Sequence, residues 1–389
     1  MKNNHLRLLL SFFTLCCLVS FGCKDKDKTD TPSPTNNNSG PSLLSGAQTG
    51  QAYTGSISDF TLAFNNNSVV LLAAQNSTGK IYAIDLKDND ATKAAANTIS
   101  APVTTFSTNI AASLGIPVSS ISYVNIEVNP ISKAIYALVR NTQSNNQTLF
   151  KITNAGNTVE QLNVSNVSYS TINFSSTGQL INDMTWGDNT LYFSYSHAST
   201  LDGSIATAVA PFVHNSSATS RATTVYKSNW GGNYFTSAPL ESMTYGEVDG
   251  EKRLMGVTVC APGYSFKTSE ITTGSGLLQV KEYFNLNTGI AQKVFCVTSN
   301  NTTYMIEVHE DGRIVRVGER YLNESENANQ NGRWIMTYQN GGLAPAPGLT
   351  EQELKLIAPA NTFVLASKYS ETKLLVISRQ GGQLSVLDI

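Results

Sequence analysis

The chain has 389 residues, with 26 Lys and Arg against 28 Asp and Glu, a net charge of −2, and only 14% charged residues. That balance supplies no basic excess to meet a phosphate backbone and excludes a nucleic-acid-binding role. Hydrophobic residues, at 41%, suffice for a sizeable core, and a surface rich in Asn, Ser, Thr and Gly rather than in charge suits an extracellular all-β protein.

The first element is a short cationic start carrying Lys2 and Arg7, followed by an apolar run from Leu8 to Phe21. This is the order of a secretory signal, and the run falls short of the about 20 apolar residues that a spanning helix needs. Cys16 and Cys17 lie inside the run, where they serve as small hydrophobes. Cys23 differs, with Gly22 directly before it and a polar chain directly after it. The stretch Ser20-Phe21-Gly22-Cys23 resembles a bacterial lipobox, with Ser20 where Leu is usual. The resemblance implies a signal peptide over 1–22, cleavage before Cys23, a diacylglycerol on its sulfur and a further acyl chain on its amine. Each buried CH₂ contributes about 0.8 kcal/mol, so two or three chains hold stably without any transmembrane span. Cleavage also removes Lys2 and Arg7 and leaves the mature chain more acidic.

Residues 23–46 read as a flexible tether: Lys24-Asp25-Lys26-Asp27-Lys28-Thr29-Asp30 and then a Pro-, Asn- and Ser-rich stretch to Pro41. Such composition buries no core, and its prolines favour extended backbone. Charge directly behind the cysteine resembles the export signal of Gram-negative surface lipoproteins. It implies an outer-membrane anchor with the domain facing the cell exterior, the alternative being a solvated spacer facing the periplasm.

From 47 to 389 no convincing amphipathic helix is visible. Short apolar, β-branched and aromatic runs alternate with Gly, Asn, Asp and Ser clusters, the pattern of strands joined as hairpins. Val69 to Ala74 is followed by Lys80 to Asp85; Tyr123 to Val128 by Ala134 to Val139 and Thr148 to Ile152. Next come Met184 to Trp186 with Thr190 to Tyr195, and Ser242 to Val248 with Arg253 to Val259. Val294 to Thr298, Thr303 to Val308 and Arg313 to Val317 follow, then Thr362 to Ala366, Lys373 to Ile377 and Gln383 to Leu387. The second strands of these units fall near residues 82, 136, 192, 256, 305 and 375, a loose repeat that predicts a β-propeller of six or seven four-stranded blades. One large sandwich or two β domains is the competing architecture. In the propeller, Phe60 to Phe64 and the final strand are expected to share one blade and close the ring.

Catalytic signatures are absent from the sequence: no repeated Trp-Asp ending, no sialidase-type aspartate box, no quinoprotein tryptophan repeat. The Gly-Gly pairs at Gly231, Gly341 and Gly381 read as turn glycines. His197, His214 and His309 show no metal-ligand spacing; His197 follows a strand and could face a channel, while His309 belongs to a hairpin tip. Asp85, Asp88 and Asp90 could donate oxygens to Ca²⁺, but their spacing fits no known loop, and a solvated turn is the simpler reading. No cofactor or metal is expected beyond the lipid. Cys260 and Cys296 sit in apolar runs and could pair in an oxidising compartment, or stay as buried thiols. Trp230, Tyr234 and Phe235, with Tyr264 in Ala261 to Phe266, place aromatics beside glycines in predicted loops, where flat apolar faces suit a sugar or a protein partner. The alternative is that these rings fill gaps between blades.

The resulting expectation is a lipid-anchored, non-enzymatic binding module for a membrane-protein partner or an extracellular glycan. Its rival is a propeller hydrolase or lyase acting on polysaccharide, which would need convergent carboxylates or histidine at the channel mouth.

Overall fold

The computed structural model describes residues 42–174, 179–197, 203–224, 239–258, 262–273, 278–279, 281–285, 291–319, 322, 336–339, 342–345, 350 and 352–389. The signal, Cys23 and most of the tether lie outside them. Six antiparallel sheets form the blades of a β-propeller. Blade 1 is Asp59–Asn65, Ser68–Gln75, Lys80–Asp85 and Val167–Asn173; blade 2 is Ile121–Val128, Ile135–Asn141, Gln147–Thr153 and Thr158–Gln161. Blade 3 is Gln179–Gly187, Thr190–His197, Gly203–Val209 and Thr219–Thr224, and blade 4 is Leu240–Val248, Glu251–Thr258, Pro262–Lys267 and Lys281–Asn285. Blade 5 is Ala291–Ser299, Thr302–His309, Ile314–Gly318 and Leu354–Ala358, and blade 6 is Phe363–Ser370, Lys373–Ser378 and Leu384–Asp388.

The second strands read as unbroken apolar runs because a blade is buried on both faces. In Ser68–Gln75 the side chains of Val69, Leu71 and Ala73 pack against Tyr136 and Leu138 of blade 2. Val70, Leu72 and Ala74, on the opposite face, pack with Leu191 and Phe193 of blade 3. In blade 2, Ile135, Ala137 and Val139 turn away from blade 1 and meet Leu375 and Ile377 of blade 6. Leu374 and Val376 meet Ile306 and Val308 of blade 5. A one-residue slip in any of these strands would exchange two different interfaces, so register is strongly specified.

These interfaces give the order round the ring as 1, 3, 4, 5, 6, 2, which is not chain order. After its third strand, blade 1 releases the chain at Leu86; the chain builds all of blade 2 and returns with Val167–Asn173, which pairs with Lys80–Asp85 as the fourth strand. The crossover is fastened by Asp88, whose buried Oδ2 accepts from Tyr136 Oη at 2.7 Å and lies 3.0 Å from Lys151 Nζ. Asp85 Oδ1 accepts from Lys87 N, and Asp90 Oδ1 accepts from Thr92 N. The segment read as a solvated turn is therefore partly buried, with Asp88 committed to an ion pair.

Ring closure differs from expectation. Phe60 to Phe64 lies in the innermost strand of blade 1, while the final strand belongs to blade 6, whose fourth position is taken by a short bridge between Val103 and Leu384 (Val103 N to Leu384 O, 2.8 Å). The strand near residue 82 is consequently third in its blade, because Asp59–Asn65 already forms the first hairpin with Ser68–Gln75. The helix Phe106–Leu114, absent from the expectation, follows Val103 and buries Phe106, Ile110 and Ala111. Its Ser107 Oγ donates to the carbonyl of Gly382 at 2.8 Å and is paired with Tyr123 Oη. Phe106, Ile110 and Leu114 recur at four-residue spacing, but the stripe lasts little more than two turns and is too short to stand out among strands. Leu43 is buried and Leu44–Ser45 pairs with Phe212–Val213, so part of the stretch read as tether already packs on blade residues.

Candidate functional site

Five of the six innermost strands carry a β-bulge, between Tyr123 and Asn125, Ile181 and Asp183, Leu240 and Ser242, Ala291 and Lys293, and Phe363 and Leu365. Bulges re-aim side chains and bend the strand that carries them. The residue after the bulge is polar in four blades, Asn125, Asp183, Ser242 and Lys293, and blade 1 places Asp59 at the start of its strand. Innermost strands leave one edge of N–H groups unpaired, and Asp183, Ser242, Thr244 and Glu127 accept from it across the blade boundaries. Asp183 Oδ2 accepts from Ser242 Oγ at 2.7 Å and Met243 N at 2.8 Å, while its Oδ1 accepts from Met184 N at 2.9 Å and Lys293 Nζ at 2.7 Å. Ser242 Oγ accepts from Val294 N, Thr244 Oγ1 from Cys296 N, and Glu127 Oε2 from Leu62 N. Asn125 Nδ2 donates to Asp59 Oδ1 and to the carbonyl of Phe60.

Above this stitched floor opens a funnel of about 480 Å³, lined from all six blades, within the size range of small-molecule sites. Its wall includes Thr61 and Phe64 of blade 1, Glu127 and Lys133 of blade 2, Trp186 of blade 3, Tyr245 of blade 4, Lys293 of blade 5, and Lys368, Tyr369 and Glu371 of blade 6. Trp186 Nε1 donates to the carbonyl of Phe64 at 3.0 Å, which fixes the indole, and Tyr245 stacks on Tyr192.

Charge in the floor is unevenly stabilised. Burial pushes the Asp59 carboxyl up to about 7, against the pull of Lys293 and with Asp183 adding to the rise. Burial likewise pushes Glu127 up to about 7, again opposed by Lys293. Burial alone would lower Lys293, but Asp183, Asp59 and Glu127 outweigh it and hold the ammonium above the usual lysine range. Glu127 and Lys293 are surrounded by protein yet half-buried, because the funnel admits solvent from one side. Asp59 Oδ2 is buried without a hydrogen-bond partner.

The residues singled out from sequence do not converge here. His197 ends the second strand of blade 3, paired with Gln179 and outside the funnel lining. Tyr264 lies in the third strand of blade 4 opposite Gly256, so Ala261 to Phe266 is largely strand and not loop. Trp230, Tyr234, Phe235 and Cys260 lie outside the described residues. The Cys296 thiol is free, and burial pushes it up to about 12, which makes it a poor nucleophile. His309 closes its strand at the hairpin tip but is buried, 3.3 Å from Glu307. Among the described residues no group of three or more His, Cys, Asp or Glu side chains is placed to hold a metal ion, and no helix is long and apolar enough to cross a membrane. The funnel residues escaped sequence reading because they belong to six strands far apart in the chain. Their one local signal is a polar residue inside an apolar strand start, as in Asn182-Asp183-Met184 or Gln292-Lys293-Val294.

The molecule is thus a six-bladed propeller with a polar, aromatic-rimmed central funnel. No family model and no curated protein matches the chain. Among solved structures it is similar to Drosophila Plexin A in complex with Semaphorin 1b, at 10% identity over 88% of each chain and a TM-score of 0.32. It is also similar to the Myceliophteria thermophila Cps50 (Swd1) β-propeller domain, at 9% identity, 85% and 83% coverage and a TM-score of 0.35. The Dos1 propeller gives 11% identity, 84% and 67% coverage and a TM-score of 0.32.

Proposed function

We propose that the protein is a displayed binding module, with lipid on Cys23 anchoring it to the outer membrane, facing the cell exterior, and the propeller funnel receiving a membrane-protein partner or an extracellular glycan. The observation that carries this reading is the engagement of the floor. Asp183, Ser242, Thr244 and Glu127 spend their oxygens on N–H groups and side chains of neighbouring blades, which stabilises the ring and leaves the open wall of Phe64, Trp186 and Tyr245 for contact. Aromatic faces held by a rigid scaffold bind at low entropic cost. Membrane fractionation tests the anchor: Cys23→Ser is expected to release the protein. Pull-down from solubilised membranes, beside a glycan array, tests the funnel: Trp186→Ala is expected to lose what wild type captures. Capture unaffected by Trp186→Ala places binding elsewhere.

A polysaccharide hydrolase or lyase is the second reading, favoured by Glu127, a funnel-lining carboxyl pushed up to about 7, with the Asp59 carboxyl, also pushed up to about 7, buried behind the wall. It requires glycan turnover that Asp59→Asn and Glu127→Gln both abolish.

A further inference from the structure

Blades 6 and 2 together line the funnel with two lysines, Lys133 and Lys368, and two carboxyls, Glu127 and Glu371. Lys133, in the turn after the first strand of blade 2, extends over blade 6: its Nζ lies 5.7 Å from the Tyr369 ring centroid and 3.5 Å from the Tyr369 carbonyl oxygen. Lys368 is paired with Glu371 at 2.5 Å, and Glu371 also accepts from Thr298 N. Glu371 is therefore already engaged, and Lys133 has no carboxylate partner among the described residues. A half-buried ammonium met only by a carbonyl oxygen and an aromatic face still gains from an anion placed beside it. Burial and the nearby Lys368 both depress Lys133, the signature of a cation held where charge is poorly compensated.

Facing the lysines, the wall turns aromatic with Phe64, Trp186 and Tyr245, and Thr185 adds a hydroxyl. Flat apolar faces beside hydroxyl partners suit a pyranose ring, and a cation across from them suits a carboxylate on that ring. We infer that the funnel binds an acidic sugar, a uronate-type residue whose carboxylate meets Lys133 and Lys368 while its ring lies toward Trp186. This rests on the funnel being the binding site, as proposed above, and adds the chemical class of the ligand.

Calorimetry on the purified protein with a trimer of galacturonic acid, against a trimer of neutral galactose, tests it. The acidic trimer is expected to bind at least about tenfold tighter, the effect of one charge-assisted contact. Lys133→Asn is expected to remove that advantage, and Lys133→Arg to keep it. Lys133 has a φ of +60°, a conformation Asn accepts readily, so the Asn variant has no backbone reason to misfold. Equal affinity for the two trimers, or an advantage that survives in Lys133→Asn, overturns the inference. If neither trimer binds while Trp186→Ala still abolishes partner capture, the acidic-sugar inference fails and the funnel reading stands. If capture is indifferent to Trp186→Ala, the funnel reading itself fails.

Discussion

Replacing Asp183 with Ala removes the acceptor that ties three blades together. Lys293 Nζ, Ser242 Oγ and the N–H groups of Met184 and Met243 all point at this carboxylate, which is 4% exposed, as against 14% for Lys293. Breaking a buried pair from one side destabilises by about 3–5 kcal/mol, because the remaining charge stays buried. Each orphaned buried donor adds about 1–3 kcal/mol where water cannot reach it. Solvent in the funnel relieves part of this for Lys293, so about 4 kcal/mol is the expected loss. Urea denaturation followed by tryptophan fluorescence reads it as a lower midpoint at unchanged slope. The double variant Asp183→Ala with Lys293→Met leaves no unpaired charge and is expected to recover at least about 1.5 kcal/mol of the single-variant loss. A single-variant effect below about 1 kcal/mol, or a double variant less stable than the sum of the singles, would refute the claim that this pair organises the floor.

Stability should depend on pH with a definite sign. Asp59 and Glu127 hold protons in the folded state up to about pH 7 but release them near pH 4 when unfolded, so their contribution is full below pH 4 and is lost as pH rises toward 7. Asp59→Asn together with Glu127→Gln is expected to flatten the denaturation midpoint between pH 5 and 8 and raise it at pH 8; an unchanged slope refutes the assignment. Asp88→Ala, which strands Lys151 and Tyr136 at the crossover, is expected to lose about 2–4 kcal/mol and to speed amide exchange in residues 86–90. Gly382 sits at φ +58°, and a Cβ there would collide with Ser107 Oγ, so Gly382→Ala is expected to lower stability by about 1–3 kcal/mol through ring closure, read by thermal unfolding. Truncation before Leu384 removes the third strand of blade 6 and the partner of Val103, and is expected to unfold the ring as judged by circular dichroism.

Most of the blade architecture was legible in the chain itself. Strand hairpins such as Ser68–Gln75 with Lys80–Asp85 are marked by local alternation, turn residues and β-branched content, all of which act between residues close in sequence. The repeat of such hairpins was enough for a propeller, and the residues around Cys23 for an expectation of lipidation. Tertiary structure alone decided the rest. That blade 2 is inserted within blade 1, and that Val103 rather than Phe60 to Phe64 flanks the last strand, depends on which apolar face meets which neighbour, as when Tyr136 packs toward blade 1 and Ile135 toward blade 6. Hydrophobicity says that both faces are buried, not against what. The funnel was hidden for the same reason. Asp59, Glu127, Asp183 and Lys293 look like isolated polar residues along the chain, and they become one charged floor only when the ring brings four strands to a common axis, where Coulomb interaction and burial act over a few ångströms instead of over the 234 positions separating Asp59 from Lys293.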